Sequence, residues 1–176
     1  KHSQTNLQKE ITLYHYWRSS CSWRLRWALN LKNLKYTALH IDILKGEQKT
    51  PEYLLKNPRG FVPVLKIKDQ YFAESLAICE WLDEQYGGVS LLPATPTERM
   101  AVRQMAYTIA MGVQPLQNLG VQRLHSIDKD KQTHWAQHWI RIGLGVYEEL
   151  ARKTAGTFSY GCEVSLADLC LIPQCY

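Results

Sequence analysis

The chain has 176 residues, 45% of them apolar and 21% charged, with a net charge of +5; that is an ordinary folded composition with room for one good core or two small ones. Its Lys and Arg residues are dispersed, with no block of about five, which argues against a nucleic-acid-binding arm and is compatible with small anionic ligands. No apolar run reaches the roughly 18 residues of a membrane span and no charged-then-apolar leader is seen, so a cytoplasmic protein with no membrane or nucleic-acid partner is expected.

Lys1 to Glu10 is polar and is expected to be a flexible or appended terminus. Ile11-Thr12-Leu13-Tyr14-His15-Tyr16-Trp17 is short and rich in aromatic and β-branched residues, the pattern of a strand. Arg18-Ser19-Ser20-Cys21-Ser22-Trp23-Arg24 follows as a strand-to-helix turn loaded with hydroxyls, a thiol and cations. Trp23, Trp27, Leu31 and Leu34 then recur at helical spacing. A serine here can cap the helix by accepting a partnerless first-turn N–H group, and such a helix start attracts anions, a thiolate included. From the turn alone, a purely capping role and a binding role stand side by side.

Lys35 to Ile41 alternates and reads as a second strand, which completes a unit ready for a parallel crossover. Lys45 to Thr50 is loop, Pro51 opens a short helix to about Lys56, and Asn57-Pro58-Arg59-Gly60 ends it. Val62 to Ile67 is a third strand that begins with a proline, Asp69-Gln70 a two-residue hairpin turn, and Tyr71-Phe72-Ala73 a fourth strand. From Glu74, the residues Leu76, Ile78, Cys79, Leu82 and Tyr86 form a helical stripe that Gly87-Gly88 ends. Gly87 to Pro96, with two glycines and two prolines, is the expected linker. Beyond it every pattern is helical. One long helix is expected from Thr97 to about His125, kinked at Pro115, and a second from Lys131 to about Lys153, weakened by Gly143 and Gly145. A last helix opens at Ser165-Leu166-Ala167-Asp168, a capping-box pattern.

Five cysteines is an odd number, and Cys162, Cys170 and Cys175 match no zinc spacing. Cys79 falls on an apolar helix face and reads as core; only Cys21 sits where a thiol has chemical use. His134 and His138 have the spacing of a metal pair but neither a third ligand nor a Glu base, so no metal is expected, and Trp135 and Trp139 read as packing.

A β-α-β-α-β-β-α unit with a proline opening its third strand, followed by helices alone, resembles the glutathione transferase architecture. That implies an α/β thioredoxin-like N-terminal domain over residues 11–86 and an all-α C-terminal domain over residues 97–176. Ser19-Ser20-Cys21-Ser22-Trp23-Arg24-Leu25-Arg26 is similar to the Ser-Ser-Cys-x-Trp-Arg-Val-Arg signature of the zeta class, which includes maleylacetoacetate isomerases. The resemblance continues through Asn57-Pro58, Val62-Pro63, Ser75 to Ile78, Gln114 to Leu119, Thr133 to Gln137 and Ser165 to Gln174, nearly the whole chain. Glu74 departs from the usual Gln of the class, and Gly120 from a hydroxyl residue. Tyr176 falls short of the family's last helical turns, where an arginine for the substrate carboxylate is expected, so the helical domain reads as incomplete.

The resemblance implies glutathione as a recycled cofactor, a small dicarboxylate substrate and a homodimer. A thiolate adds to the activated cis double bond of maleylacetoacetate, the bond rotates, and elimination returns the trans product. It also implies the site. Ser19 is the first choice for the hydroxyl facing sulfur, Ser20 the second, and Cys21 a helper; Ser22, Trp23 and Arg24 complete the turn. Val62, before a proline expected in the cis form, faces the cysteinyl part, and Glu74 and Ser75 begin a helix that takes the γ-glutamyl carboxylate. Gln48, Gln114 and Asn118 are amide partners, and Arg18 and Arg24 are candidates for attracting the substrate. Other readings keep the fold and change the chemistry: a maleylpyruvate isomerase, a conjugating transferase or thiol reductase in which Cys21 reacts, or a binding module without catalysis.

Overall fold

The computed structural model describes residues 11–176, and the expectation for Lys1 to Glu10 lies outside them. The aromatic and β-branched run becomes strand β1 (Ile11–His15), the second strand of a four-stranded sheet in the order β2-β1-β3-β4. β2 (Thr37–His40) lies parallel to β1 at the sheet edge and is exposed along its length. β3 (Val64–Ile67) runs antiparallel to β1, and β4 (Gln70–Phe72) antiparallel to β3. Helix α1 (Ser20–Leu31) makes the crossover between β1 and β2. The short α2 (Pro51–Leu54) starts where Thr50 accepts the Tyr53 N–H and Pro51 supplies a preset φ. α3 (Ser75–Gln85) follows the hairpin and packs against α1, with Leu25, Ala28 and Leu29 of one and Ile78, Cys79 and Leu82 of the other all buried.

The hairpin turn is one residue earlier than its composition suggested. Gln70 pairs with Ile67, so the two loop residues are Lys68 and Asp69, not Asp69 and Gln70. Lys68 sits at φ +53°, a left-handed conformation that a lysine seldom adopts and that Asp69-Gln70 masked.

The chain divides into two compact units between Leu91 and Leu92. The second is helical: α4 (Pro96–Ala110), α5 (Leu119–His125), α6 (Lys129–Ala151) and α7 (Leu166–Cys175). Its core is built from Val102, Met105, Ala106 and Ile109 of α4 with Leu166, Ala167, Leu169 and Cys170 of α7. The expected long helix over 97–125 is instead two helices. α4 ends at Ala110, the Gln114 N–H reaches back five residues to the Ile109 carbonyl, and Pro115 has no N–H with which to carry the ladder on. Asn118 then caps α5 by accepting the Gly120 N–H at 2.9 Å. At the start of α7, Asp168 accepts from the Ser165 N–H and hydroxyl at 2.8 and 2.9 Å and from the Ser159 N–H at 2.8 Å; the last helix therefore opens as its sequence indicates.

α6 runs unbroken through Gly143 and Gly145. Gly143 is required by packing: a Cβ there would overlap the Val113 side chain. Gly143→Ala should therefore destabilise by about 1–3 kcal/mol although alanine is the better helix former. The melting temperature of the single variant and of the pair Gly143→Ala with Val113→Ala reads this, since the second change makes room for the added methyl. Equal stability of Gly143→Ala and the natural chain would refute the packing argument.

Candidate active site

The sheet topology gathers the candidate residues of the first unit at one edge. Tyr14 pairs with Val64, so the β1 exit toward Ser19 and the β3 entry at Val62-Pro63 lie side by side. His15 pairs with His40, which sends the segment after β2, with Gln48, off the same edge. Leu65 pairs with Phe72, and the chain leaving β4 there reaches Glu74 and Ser75 at the start of α3.

At the first reversal, Ser19 is the N-cap of α1. Its extended backbone (φ −71°, ψ 120°) lets Oγ accept the Ser22 N–H at 3.2 Å, and its own N–H donates to the Tyr16 carbonyl at 3.1 Å. A hydroxyl that already accepts keeps its proton for another acceptor, so capping and anion binding coexist on one side chain. No acidic residue lies in the first turn of α1, which leaves the positive end of the helix uncompensated. Ser20 and Cys21 are the first two helical residues and, like Trp23, are half-buried. Ser22, expected among the cofactor-binding residues, is fully buried and accepts the Tyr16 N–H at 3.3 Å, which braces the turn.

Arg24 also departs from expectation. At 1% exposure it lies inside the first unit rather than on a solvated face, and its Nη1 donates to Ser75 Oγ at 2.7 Å. The signal was present in the sequence, since Arg24 stands four residues before the buried Ala28, but a lone cation on an apolar stripe is ordinarily read as solvated. Arg24 instead fixes Ser75 at the start of α3: Oγ accepts from the guanidinium, and its own proton remains to be donated. Glu74 precedes it at φ +66°, its carboxylate turned outward to Arg59 at 3.4 Å. Arg18 is exposed and lies over the Trp17 ring, 5.6 Å from its centroid.

The Val62–Pro63 peptide is cis. The loop before it is held by Tyr53 Oη and Asn57 Nδ2, each donating to the Phe61 carbonyl at 2.9 Å. Gly60, at φ +63°, lies so near the Gln48 carbonyl that an added Cβ would sit 2.7 Å from it, which brings the turn bearing Gln48 against the approach to Val62. Gln48 Nε2 donates to the Ile43 carbonyl at 3.3 Å, while Oε1 is buried without a hydrogen-bond partner. Gln114 and Asn118 belong to the second unit: Gln114 is buried in the turn ahead of Pro115, and Asn118 Oδ1 is engaged in its cap. Among the described residues, no group of three His, Cys, Asp or Glu side chains is placed to hold a metal.

Residues 18–85 match the model of the glutathione S-transferase N-terminal domain, and the chain is 42% identical to a zeta-class glutathione S-transferase of Euphorbia esula, covering 94% of this chain and 74% of that one, so the class of protein is a glutathione transferase. The chain is 45% identical over 164 residues to maleylacetoacetate isomerase of Mus musculus, covering 92% of this chain and 75% of that one. Its fold matches the holo structure of maleyl pyruvate isomerase, a bacterial zeta-class enzyme, at TM-score 0.89 and 35% identity, covering 93% and 80% of the two chains. It also matches maleylacetoacetate isomerase from Anaeromyxobacter dehalogenans with bound dicarboxyethyl glutathione and citrate, at TM-score 0.84 and 37% identity, covering 96% and 80%. The chain belongs to the zeta-class glutathione transferase family, together with the maleylacetoacetate isomerases.

Proposed function

We propose that this enzyme isomerises maleylacetoacetate to fumarylacetoacetate with glutathione as a recycled cofactor. The observation that carries the reading is the Ser19 hydroxyl, which accepts the Ser22 N–H at the start of α1 and so has its proton to give to an anion at a positively polarised helix end. Glutathione fits the residues present: Ser75 at the head of α3 offers a hydroxyl proton and helix N–H groups to a carboxylate, and Gln48 is the amide partner in the turn packed against the approach to Val62. When bound, it supplies a sulfur nucleophile that adds to the activated double bond, makes it single long enough to rotate, and leaves again. The dicarboxyethyl glutathione in the Anaeromyxobacter dehalogenans relative is glutathione sulfur joined to a saturated dicarboxylate, which supports that chemistry.

The protein's own part is to hold the thiol ionised. A free thiol near pKa 8.5 is about 3% ionised at pH 7, and lowering it by about 2 units requires about 2.7 kcal/mol of preference for the anion. A hydrogen bond to a charged group, about 1.5–3 kcal/mol, together with about 0.3–1 kcal/mol from the helix end, reaches that. Ser19 donates to the sulfur, with Ser20 and Cys21 beside it; Val62 presents its backbone to the cysteinyl part, and Arg24 acts through Ser75. Exposed Arg18 draws in the dicarboxylate. The same reading includes a cytoplasmic homodimer, the assembly being measurable by sedimentation.

Incubation of the purified protein with maleylacetone, with and without glutathione, tests this. Loss of the cis isomer only when glutathione is present, with glutathione recovered unchanged, is expected; no such loss, or stoichiometric consumption of glutathione, overturns it. The match to a maleyl pyruvate isomerase favours maleylpyruvate as the second substrate to assay.

A further inference from the structure

The second arginine of the Ser-Ser-Cys-x-Trp-Arg-x-Arg stretch, Arg26, has no part in the chemistry so far. Its guanidinium reaches back over the start of α1. Nη2 donates to the Trp17 carbonyl at 3.0 Å, Nη1 lies 3.4 Å from the Tyr16 carbonyl, and Nη1 is 3.1 Å from His15 Nδ1. A guanidinium only donates, so Nδ1 accepts and the neutral His15 carries its proton on Nε2. The Tyr16 carbonyl that receives Arg26 also receives the Ser19 N–H, while the Tyr16 N–H goes to Ser22. Tyr16 is buried and anchors the start of the turn, but Trp17 and Arg18 are exposed, so the stretch between Tyr16 and Ser19 is held by these backbone bonds.

We propose that Arg26, seated on His15, is a positioning residue that clamps the Tyr16 and Trp17 carbonyls and thereby aims the Ser19 hydroxyl at the bound thiol. This rests on the isomerase reading for the identity of the thiol. Its physical basis is the steep dependence of a hydrogen bond on geometry: a donor displaced by about 1 Å loses most of its hold on a developing or resident anion. The groups facing His15 are Arg26 from α1 and His40 from β2, with Tyr36, ahead of β2, facing Arg26. Burial, then Arg26, then His40 hold the His15 pKa below the ordinary 6.5. A lowered folded value means that the clamp is complete above about 6.5 and is lost as pH falls through the folded value. Protonation there removes the acceptor and sets a second cation against Arg26.

The test uses the whole chain with Arg26→Ala, Arg26→Lys and His15→Asn. Amide hydrogen exchange over residues 16–22 is read without ligand, and the ultraviolet absorbance of thiolate in bound glutathione is followed against pH. Arg26→Ala is expected to lose protection at Ser19 and Ser22 and to raise the bound thiol pKa by about 1 unit, a tenfold smaller thiolate population, with kcat falling about tenfold and KM for glutathione nearly unchanged. Arg26→Lys, whose ammonium can reach one carbonyl, should recover part of this. His15→Asn keeps an acceptor that does not titrate, so it should match the natural protein at neutral pH and remove the loss of amide protection on acidification. Unchanged exchange in Arg26→Ala overturns the proposal, as does lost protection without a shift in the thiol. If Arg26→Ala fails to fold, His15→Asn decides: an acid-side loss as in the natural protein overturns the clamp. Failure of the natural protein to bind glutathione would instead defeat the isomerase reading, with the exchange measurement still deciding the clamp.

Discussion

Ser19→Ala should lower kcat/KM for glutathione-dependent isomerisation by about a hundredfold, and the bound thiol should titrate about 1–2 units higher than in the natural protein. The estimate follows from removing one hydrogen bond to an anion, which contributes about 1.5–3 kcal/mol, while the helix end stays in place. Ser19 also caps α1, so alanine costs about 1 kcal/mol of stability besides. Ser19→Gly separates the two effects. It removes the same hydroxyl but costs the cap only a few tenths of a kcal/mol, so it should be as inactive as the alanine variant while melting close to the natural protein. Ser19→Thr keeps the hydroxyl and should retain most activity. Cys21→Ser should be milder than Ser19→Ala. The reverse order, with Cys21→Ser inactive and Ser19→Ala active, would replace the isomerase reading with an enzyme whose own thiol reacts.

Most of the first unit was legible because its signals are local. An aromatic and β-branched run makes β1, the serine-rich turn caps α1, and a proline opens the third strand, each within a few residues. The errors arose where a decision is made at a distance or by competition. Pro115 reads as a kink in a long helix, yet its missing N–H and the ready cap at Asn118 favour two helices. The hairpin shifted by one residue because strand register, which buries Leu65 and leaves Gln70 exposed, outweighed the turn preference of Asp69. The signature shows that Ser22 and Arg24 are special but not which way each faces, and the fold buries both. Ser75 lies 51 positions from Arg24, and only folding brings the two together. The same limit hid His15 behind Arg26: a histidine at the end of a strand looks like any other until its neighbour on α1 is in place.

Lys32→Met should destabilise the first unit by about 3–5 kcal/mol, with a fall in melting temperature of about 10 °C or more. Lys32 and Asp83 form a 2.7 Å ion pair with side chains 1% and 8% exposed, between the C-terminal end of α1 and the body of α3. All three ammonium protons are placed: one on Asp83, one on the Tyr86 carbonyl at 3.3 Å and one on the Val89 carbonyl at 2.7 Å. The same Asp83 oxygen accepts the Leu91 N–H at 2.7 Å. Methionine fills the volume but leaves a carboxylate in a dry site and two carbonyls without a donor, and the cost of such a stranded charge sets the magnitude. Adding Asp83→Leu to Lys32→Met should restore part of the loss, because it removes the charge but not the unmet carbonyls or the Leu91 N–H. Hydrogen exchange at the Leu91 amide gives an independent reading: slow in the natural protein, fast in Lys32→Met. A loss below about 1 kcal/mol, or a protected Leu91 amide in the variant, would mean that Tyr86 to Leu91 is held by its apolar residues instead. On the geometry, Leu91 and Leu92 are buried in either case, but the Lys32 ammonium reaches across 57 residues to tie the Val89 carbonyl to the end of α1. The glycine-rich stretch after α3 is therefore the last part of the first unit's polar network rather than slack chain.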